Sequence, residues 1–166
     1  MTRAAAALFI AAAFGAGATA RAGAAAPFHC RPTLPSQSPA VGRGPVASTF
    51  DYGTTRLRVE LYWPRGTLAA GRLPGGGEMA HVNADGSISA KVGWWRSRLQ
   101  PLRIAGSRLD APAPPLRAQA GPSASYGGFV PSILTFPTTG CWRVVGTVGD
   151  ARLAFVVRVT RLHANP

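Results

Sequence analysis

The segment with the most binding chemistry is Lys91-Val92-Gly93-Trp94-Trp95-Arg96-Ser97-Arg98. Adjacent residues of a β-strand face opposite sides of the sheet, so Trp94 and Trp95 cannot both enter one core. We expect one indole to be structural and Trp95 to be the more exposed. An exposed indole beside guanidinium groups can stack on a sugar ring or a base while the cations bind acidic groups. The sequence predicts a ligand-binding site at Trp95, Arg96, Arg98 and Lys91. The alternative is that Trp95 lies beneath a loop and binds nothing.

A second candidate site is formed by Met79 and His81, which are two residues apart and therefore share one face of a strand. A thioether and an imidazole are ligands that suit copper. His29 and His163 could complete the set of copper ligands. A periplasmic copper-binding module is therefore the alternative function that we keep, against the simpler interpretation that these are unrelated surface residues.

The acidic side chains offer little for catalysis. The chain holds six of them: Asp51, Glu60, Glu78, Asp85, Asp110 and Asp150. A glycosidase needs two carboxylates held about 5 to 10 Å apart, and only Glu60 and Glu78 are candidates for such neighbours. No G-x-S-x-G motif is present, and Gly75-Gly76-Gly77 lacks the Lys-Ser or Lys-Thr of a phosphate-binding loop. We expect a protein that is not an enzyme and has no cofactor.

Composition limits the class of protein further. The chain has 166 residues, with 18 Lys+Arg against 6 Asp+Glu and a formal net charge of +12. This length predicts one small domain, and the composition excludes a coiled coil or a multi-pass membrane protein. The abundance of arginine is partly what a GC-rich genome would produce, but that bias does not remove acidic residues. The acid deficit favours an anionic partner.

Residues 1–26 have the order of a signal peptide: Arg3, an apolar run over residues 4–14, and small residues with several A-x-A cleavage sites. The alternative is a membrane anchor, although the apolar run is shorter than the roughly 20 residues of a spanning helix. Cleavage after Ala26 removes Arg3 and Arg21, which lowers the net charge from +12 to +10. We expect a secreted or periplasmic protein. Its partner would be an anionic cell-envelope polymer, a lipid surface or a protein rather than nucleic acid.

Export also predicts a disulfide between Cys30 and Cys141, the only two cysteines. By strand alternation, Trp142 and Val144 share one face while Cys141 and Arg143 share the other. We therefore expect the bond to clamp a proline-rich, extended lead over residues 27–46 against the outside or the edge of a strand, and not to join the two sheets.

The elements that must position these residues are β-strands. Apolar residues alternate at Leu57, Val59, Leu61 and Trp63, and the same pattern recurs over residues 87–95, 140–148 and 151–161. Asp85-Gly86 and Gly149-Asp150 are typical of hairpin turns. The spacing predicts an all-β, immunoglobulin-like antiparallel β-sandwich of about seven strands over residues 47–162.

Several sequence motifs are similar to those of one protein group. These are Leu134-Thr135-Phe136-Pro137-Thr138-Thr139-Gly140-Cys141-Trp142, the V-G-D-A-R-L-A-F-V run at 148–156, Trp94-Trp95-Arg96, and the R-L-D-A-P-A-P-P run at 108–115. They resemble a group of small secreted bacterial proteins of uncharacterised function. The resemblance implies export and an immunoglobulin-like β-sandwich, and it implies no activity.

Overall fold

The computed structural model describes residues 28–35, 50–122 and 128–162, and these residues form an all-β fold. The strands are β1 (Asp51–Gly53), β2 (Leu57–Glu60), β3 (Thr67–Ala70), β4 (His81–Val82), β5 (Ile88–Arg96), β6 (Arg103–Arg108), β7 (Arg117–Ala120), β8 (Phe129–Phe136), β9 (Gly140–Val148) and β10 (Ala151–Arg161).

The strands divide between two sheets. One has six strands in the order β1-β2-β5-β8-β7, with β4 also paired to β5, and the other has four strands in the order β3-β10-β9-β6. All pairings are antiparallel except that of β3 with β10, which is parallel. A one-residue alternation of burial runs along the long strands, so each sheet has one face in the core and one face outside.

Aromatic side chains from both sheets meet in the core. Trp94 and Phe155 pack with ring centroids 6.0 Å apart, and Phe136 and Trp142 with centroids 5.6 Å apart. The Trp94 indole donates a hydrogen bond to the Ser132 hydroxyl at 3.1 Å. All four rings are almost fully buried, and burial of large aromatic groups dominates the energetics of such cores.

The predicted all-β sandwich is confirmed as two mainly antiparallel sheets, with ten strands among the described residues where about seven were expected. Two predicted strands, 140–148 and 151–161, have the observed bounds. The strand that was expected to continue to Trp63 ends at Glu60, although Leu61 and Trp63 still enter the core. The structure adds β1 and β3, which are three and four residues long and too short for an alternating pattern to reveal.

The predicted disulfide between Cys30 and Cys141 is confirmed. Cys141 lies on the outer face of β9, opposite the buried Trp142. Beyond the disulfide, the Thr33 amide donates to the Val156 carbonyl at 2.8 Å, and the Val156 amide donates to the Thr33 hydroxyl at 3.0 Å. Since β3 pairs with β10 only from Arg158 onward, this segment covers the neighbouring part of the β10 edge.

The predicted signal peptide, residues 1–26, lies outside the described residues, as does most of the predicted lead, of which residues 28–35 are described. No helix in the described ranges is long and apolar enough to cross a membrane.

Candidate functional site

The four residues of the predicted ligand site do not share one surface. Lys91 and Trp95 lie on the outer face of the six-stranded sheet. Arg96 follows Trp95 and therefore turns to the opposite face, where it is buried and donates a hydrogen bond to the Gln100 carbonyl. Arg98 is exposed in the segment after β5. Strand alternation, which separates Trp94 from Trp95, separates Trp95 from Arg96 in the same way.

Trp95 is half-buried because neighbouring strands supply side chains that pack against it. Its ring centroid is 5.0 Å from that of Phe129 on β8 and 5.2 Å from the guanidinium carbon of Arg58 on β2. Arg58 in turn forms an ion pair with Asp51 on β1, with an N···O distance of 3.5 Å. The indole thus packs against Phe129 and makes a cation–π contact with Arg58.

Beside Trp95, a groove of about 760 Å³ opens on the outer face of the six-stranded sheet. Gly93, one of its lining residues, takes an outward position in β5 between Lys91 and Trp95. Gly93 pairs with Pro131 of β8, and the β2 register places Glu60 on its other side. Because Gly93 has no side chain, the Glu60 carboxylate and the Phe129 ring can lie over it, and the groove is open beside them. We call it the notch; it is lined by Glu60, Tyr62, Lys91, Gly93, Phe129, Pro131 and Ile133, with the end of β7 at its rim.

Two side chains lie directly over Gly93. A Cβ at this position would be 2.6 Å from Glu60 Oε2 and 2.8 Å from Phe129 Cε2. Any larger residue would therefore displace the carboxylate or the ring. The floor of the notch depends on glycine for this close approach.

Glu60 is the titratable group of the notch with the clearest perturbation. Burial raises the pKa of its carboxyl, as does the negative charge of Asp51, while Arg58 acts in the opposite direction. The pKa of Tyr62 is also raised, first by burial and then by Glu60. The Tyr62 hydroxyl lies within hydrogen-bond distance of the Lys91 carbonyl, so it is held against the sheet.

The other five carboxylates have basic partners with N···O distances of 3.5 Å or less. The pairs are Arg58–Asp51, His81–Glu78, Arg117–Asp85, Arg108–Asp110 and Arg56–Asp150. Among the described residues, no side chain forms a hydrogen bond or an ion pair with the Glu60 carboxylate. The pKa of the Asp85 carboxyl is lowered to about 2 by hydrogen bonds from Ser87 and by Arg117.

A second feature lies on the outer face of the four-stranded sheet. Arg103 of β6, Arg143 of β9, and Arg152 and Arg158 of β10 all point outward and are exposed. We call this surface the arginine face. The strand register puts Arg103 and Arg152 on either side of Thr147 in one row, and residues two strands apart are about 10 Å apart.

The arginine face has no local counter-charge. None of the six acidic residues lies in β3, β6, β9 or β10. Within the described part of the chain, none of its four guanidinium groups forms an ion pair, in contrast to Arg56, Arg58, Arg108 and Arg117.

The candidate copper ligands Met79 and His81 line one shallow groove, and each also contacts other residues. Met79 packs against the hydrophobic core, and the exposed His81 ring contacts Glu78 at 3.3 Å. In residues 28–35, 50–122 and 128–162, no three or more His, Cys, Asp or Glu side chains form a group that could hold a metal ion. Copper binding stays a prediction, which equilibrium dialysis with Cu(I) tests.

The two features were not identified from sequence. An outward glycine in the alternating strand 87–95 was the available signal for the notch, since it implies a missing side chain in one row. Strand alternation predicts that the four arginines of the arginine face point outward, but their grouping on one surface depends on the lateral order β10-β9-β6 and not on spacing along the chain.

Comparison with known proteins adds little beyond the fold. No family model matches the chain, and no curated protein matches it. Among solved structures, the chain is similar to one in the crystal structure of Dpr2 Ig1-Ig2 in complex with DIP-Theta Ig1-Ig3, with 11% sequence identity and a TM-score of 0.39. The match covers 67% of this chain and 34% of that chain, so this chain spans about a third of the length of the one it matches.

Proposed function

We propose that this protein is an exported, non-enzymatic binding domain whose arginine face holds an anionic polymer of the cell envelope. The observation that carries the proposal is the set of four exposed guanidinium groups on three adjacent strands that contain no carboxylate. Guanidinium groups bind carboxylates and phosphates through paired hydrogen bonds. A rigid sheet holds them at fixed spacing, which lowers the entropy lost on binding a repeating anion.

Localisation outside the cytoplasm is part of the same proposal. The disulfide between Cys30 and Cys141 supports it, because such bonds form and persist in oxidising compartments. The signal-peptide pattern of residues 1–26 supports it as well. A lipid surface is the alternative anionic partner, and it is distinguished by the probe used.

The test compares two variants with the same loss of charge. In one, Arg103, Arg143, Arg152 and Arg158 are replaced by Gln. In the other, four exposed arginines outside the arginine face are replaced: Arg65, Arg72, Arg98 and Arg117. Binding to polygalacturonate is measured between about 50 and 200 mM salt, the range over which polyanion binding by cationic proteins weakens strongly. Anionic lipid vesicles form a parallel arm.

We expect the arginine-face variant to lose at least about tenfold in affinity, since each phosphate or carboxylate contact contributes to the salt-dependent term. The control variant should lose much less. Equal losses in the two variants would show that net charge alone binds the polymer and would refute the proposal. Binding to vesicles but not to polygalacturonate would replace the polymer by a lipid surface.

A further inference from the structure

The notch combines an apolar floor with one carboxylate at its end. Phe129, Pro131 and Ile133 supply the apolar surface, and Gly93 lets the Glu60 carboxylate and the Phe129 ring approach the backbone closely. Ile133 is 40% exposed, so its side chain adds apolar surface to the notch. A volume of about 760 Å³ is in the range of small-molecule sites.

The charge state of Glu60 indicates what the notch would bind. Basic residues outnumber acidic ones by 18 to 6, and each of the other five carboxylates has found a basic partner. Glu60 is partly buried, and the described residues supply no hydrogen bond to it. A carboxylate desolvated in this way is destabilised, and an incoming cation that bonds to it would offset that cost.

We propose that the notch binds an organic cation, with the ammonium group at Glu60 and an apolar ring over Pro131 between Phe129 and Ile133. Tyr62 and Phe129 are aromatic walls, and an ammonium near such rings gains a cation–π attraction. Lys91 forms no ion pair with Glu60; it lies at the rim, where its flexible stem can point to solvent. This site is on the opposite sheet from the arginine face and does not depend on the function proposed for that face.

The experiment uses three probes of similar shape that differ in charge: phenethylamine, phenethyl alcohol and 3-phenylpropionate. Their affinities for the whole protein are measured by isothermal titration calorimetry at neutral pH. We expect the amine to bind about tenfold more tightly than the alcohol, the usual gain of a charge-assisted hydrogen bond, and the carboxylate to bind most weakly.

Glu60→Gln should remove the preference for the amine over the alcohol while it leaves alcohol binding unchanged. Glu78→Gln is the matched control, because Glu78 is an exposed carboxylate outside the notch; it should keep the preference. Gly93→Ala should weaken all three probes, because its Cβ would lie within 2.8 Å of both Glu60 and Phe129. The arginine-face variant should bind all three probes as the parent protein does.

Three results would overturn the proposal. They are an equal amine preference in Glu60→Gln and the parent protein, a carboxylate affinity that matches the amine, or no binding of any probe. The Glu60→Gln and Glu78→Gln comparison does not depend on whether Gly93→Ala folds. Loss of polygalacturonate binding in the arginine-face variant alone would leave the notch untouched, so the two proposals fail separately.

Discussion

The two outer faces of the sandwich differ in how their charged side chains are paired. On the six-stranded sheet, Arg58 and Arg117 are each paired with an aspartate, and Glu60 in the apolar groove is the one carboxylate without an ion pair among the described residues. On the four-stranded sheet, four arginines are exposed and no acidic residue lies in the strands. One basic chain thus presents a surface suited to anions and a separate site suited to a cation.

The net charge of the chain alone does not indicate which surface binds a partner. The formal +12 predicts an anionic partner for the whole molecule, but Arg58 and Arg117 of the six-stranded sheet form ion pairs with Asp51 and Asp85. The strength of an ion pair depends on its burial. Arg58 is buried and forms an ion pair with Asp51, whereas Arg143 is exposed on the arginine face.

The largest expected effect comes from the disulfide, which lies on the outer face of the four-stranded sheet. Replacing both Cys30 and Cys141 by Ser opens a crosslink between residues 111 positions apart. In the chain-entropy description this costs about 4 to 5 kcal/mol of unfolding free energy. Urea denaturation of the parent and the double variant measures the loss. Under conditions in which the double variant is folded, it should still bind the amine in the notch.

An unchanged denaturation midpoint would contradict this prediction and would mean that the unfolded chain is already restricted without the crosslink. Parent protein unfolded under reducing conditions is the control, since it should match the double variant.

The next effect separates the two classes of arginine. The side chains of Arg58 and Asp51 are 10% and 1% exposed, and removing one partner of a buried ion pair costs about 3 to 5 kcal/mol. Arg58→Ala should therefore destabilise strongly. Arg143→Ala should change stability by no more than about 0.5 kcal/mol, as is usual for surface substitutions. Thermal and urea unfolding of the two variants measure the difference, and similar losses would erase the distinction between the faces.

The sequence was sufficient for the fold and insufficient for the site. The alternation of Leu153, Phe155, Val157 and Val159 with outward residues predicts β10 because a half-buried strand requires a period of two. The parity of Trp142 and Cys141 likewise predicts that the disulfide lies outside the core. These are local properties of one strand.

The site depends on contacts between strands distant in sequence. Glu60, Gly93 and Pro131 form one row only because β5 lies between β2 and β8, and spacing along the chain does not specify that order. The same is true of Arg103 and Arg152, which are joined across β9. Alternation alone could have excluded Arg96 from the surface of Trp95, since adjacent residues face opposite ways.

The smallest expected effect tests the carboxylate of the notch through stability. The folded-state pKa of Glu60 is raised above its ordinary value by burial and by Asp51, so the folded protein binds more protons than the unfolded chain between those two pKa values. Stability should therefore fall as pH rises through that window. Glu60→Gln removes this term and should stabilise the protein at pH 7 more than at pH 4, by less than about 0.5 kcal/mol for a group open to solvent.

Thermal unfolding of Glu60→Gln and the parent protein across pH 4 to 8 measures the difference, with Glu78→Gln as the control. The charged or titratable groups that face Glu60 are Asp51, Arg58, Tyr62 and Lys91, and all four are retained in both variants. If Glu60→Gln were less stable at pH 7 than the parent protein, the carboxylate would have a stabilising partner. The notch would then have no unmet charge to offer a cation, and the contrast between the two faces would be lost.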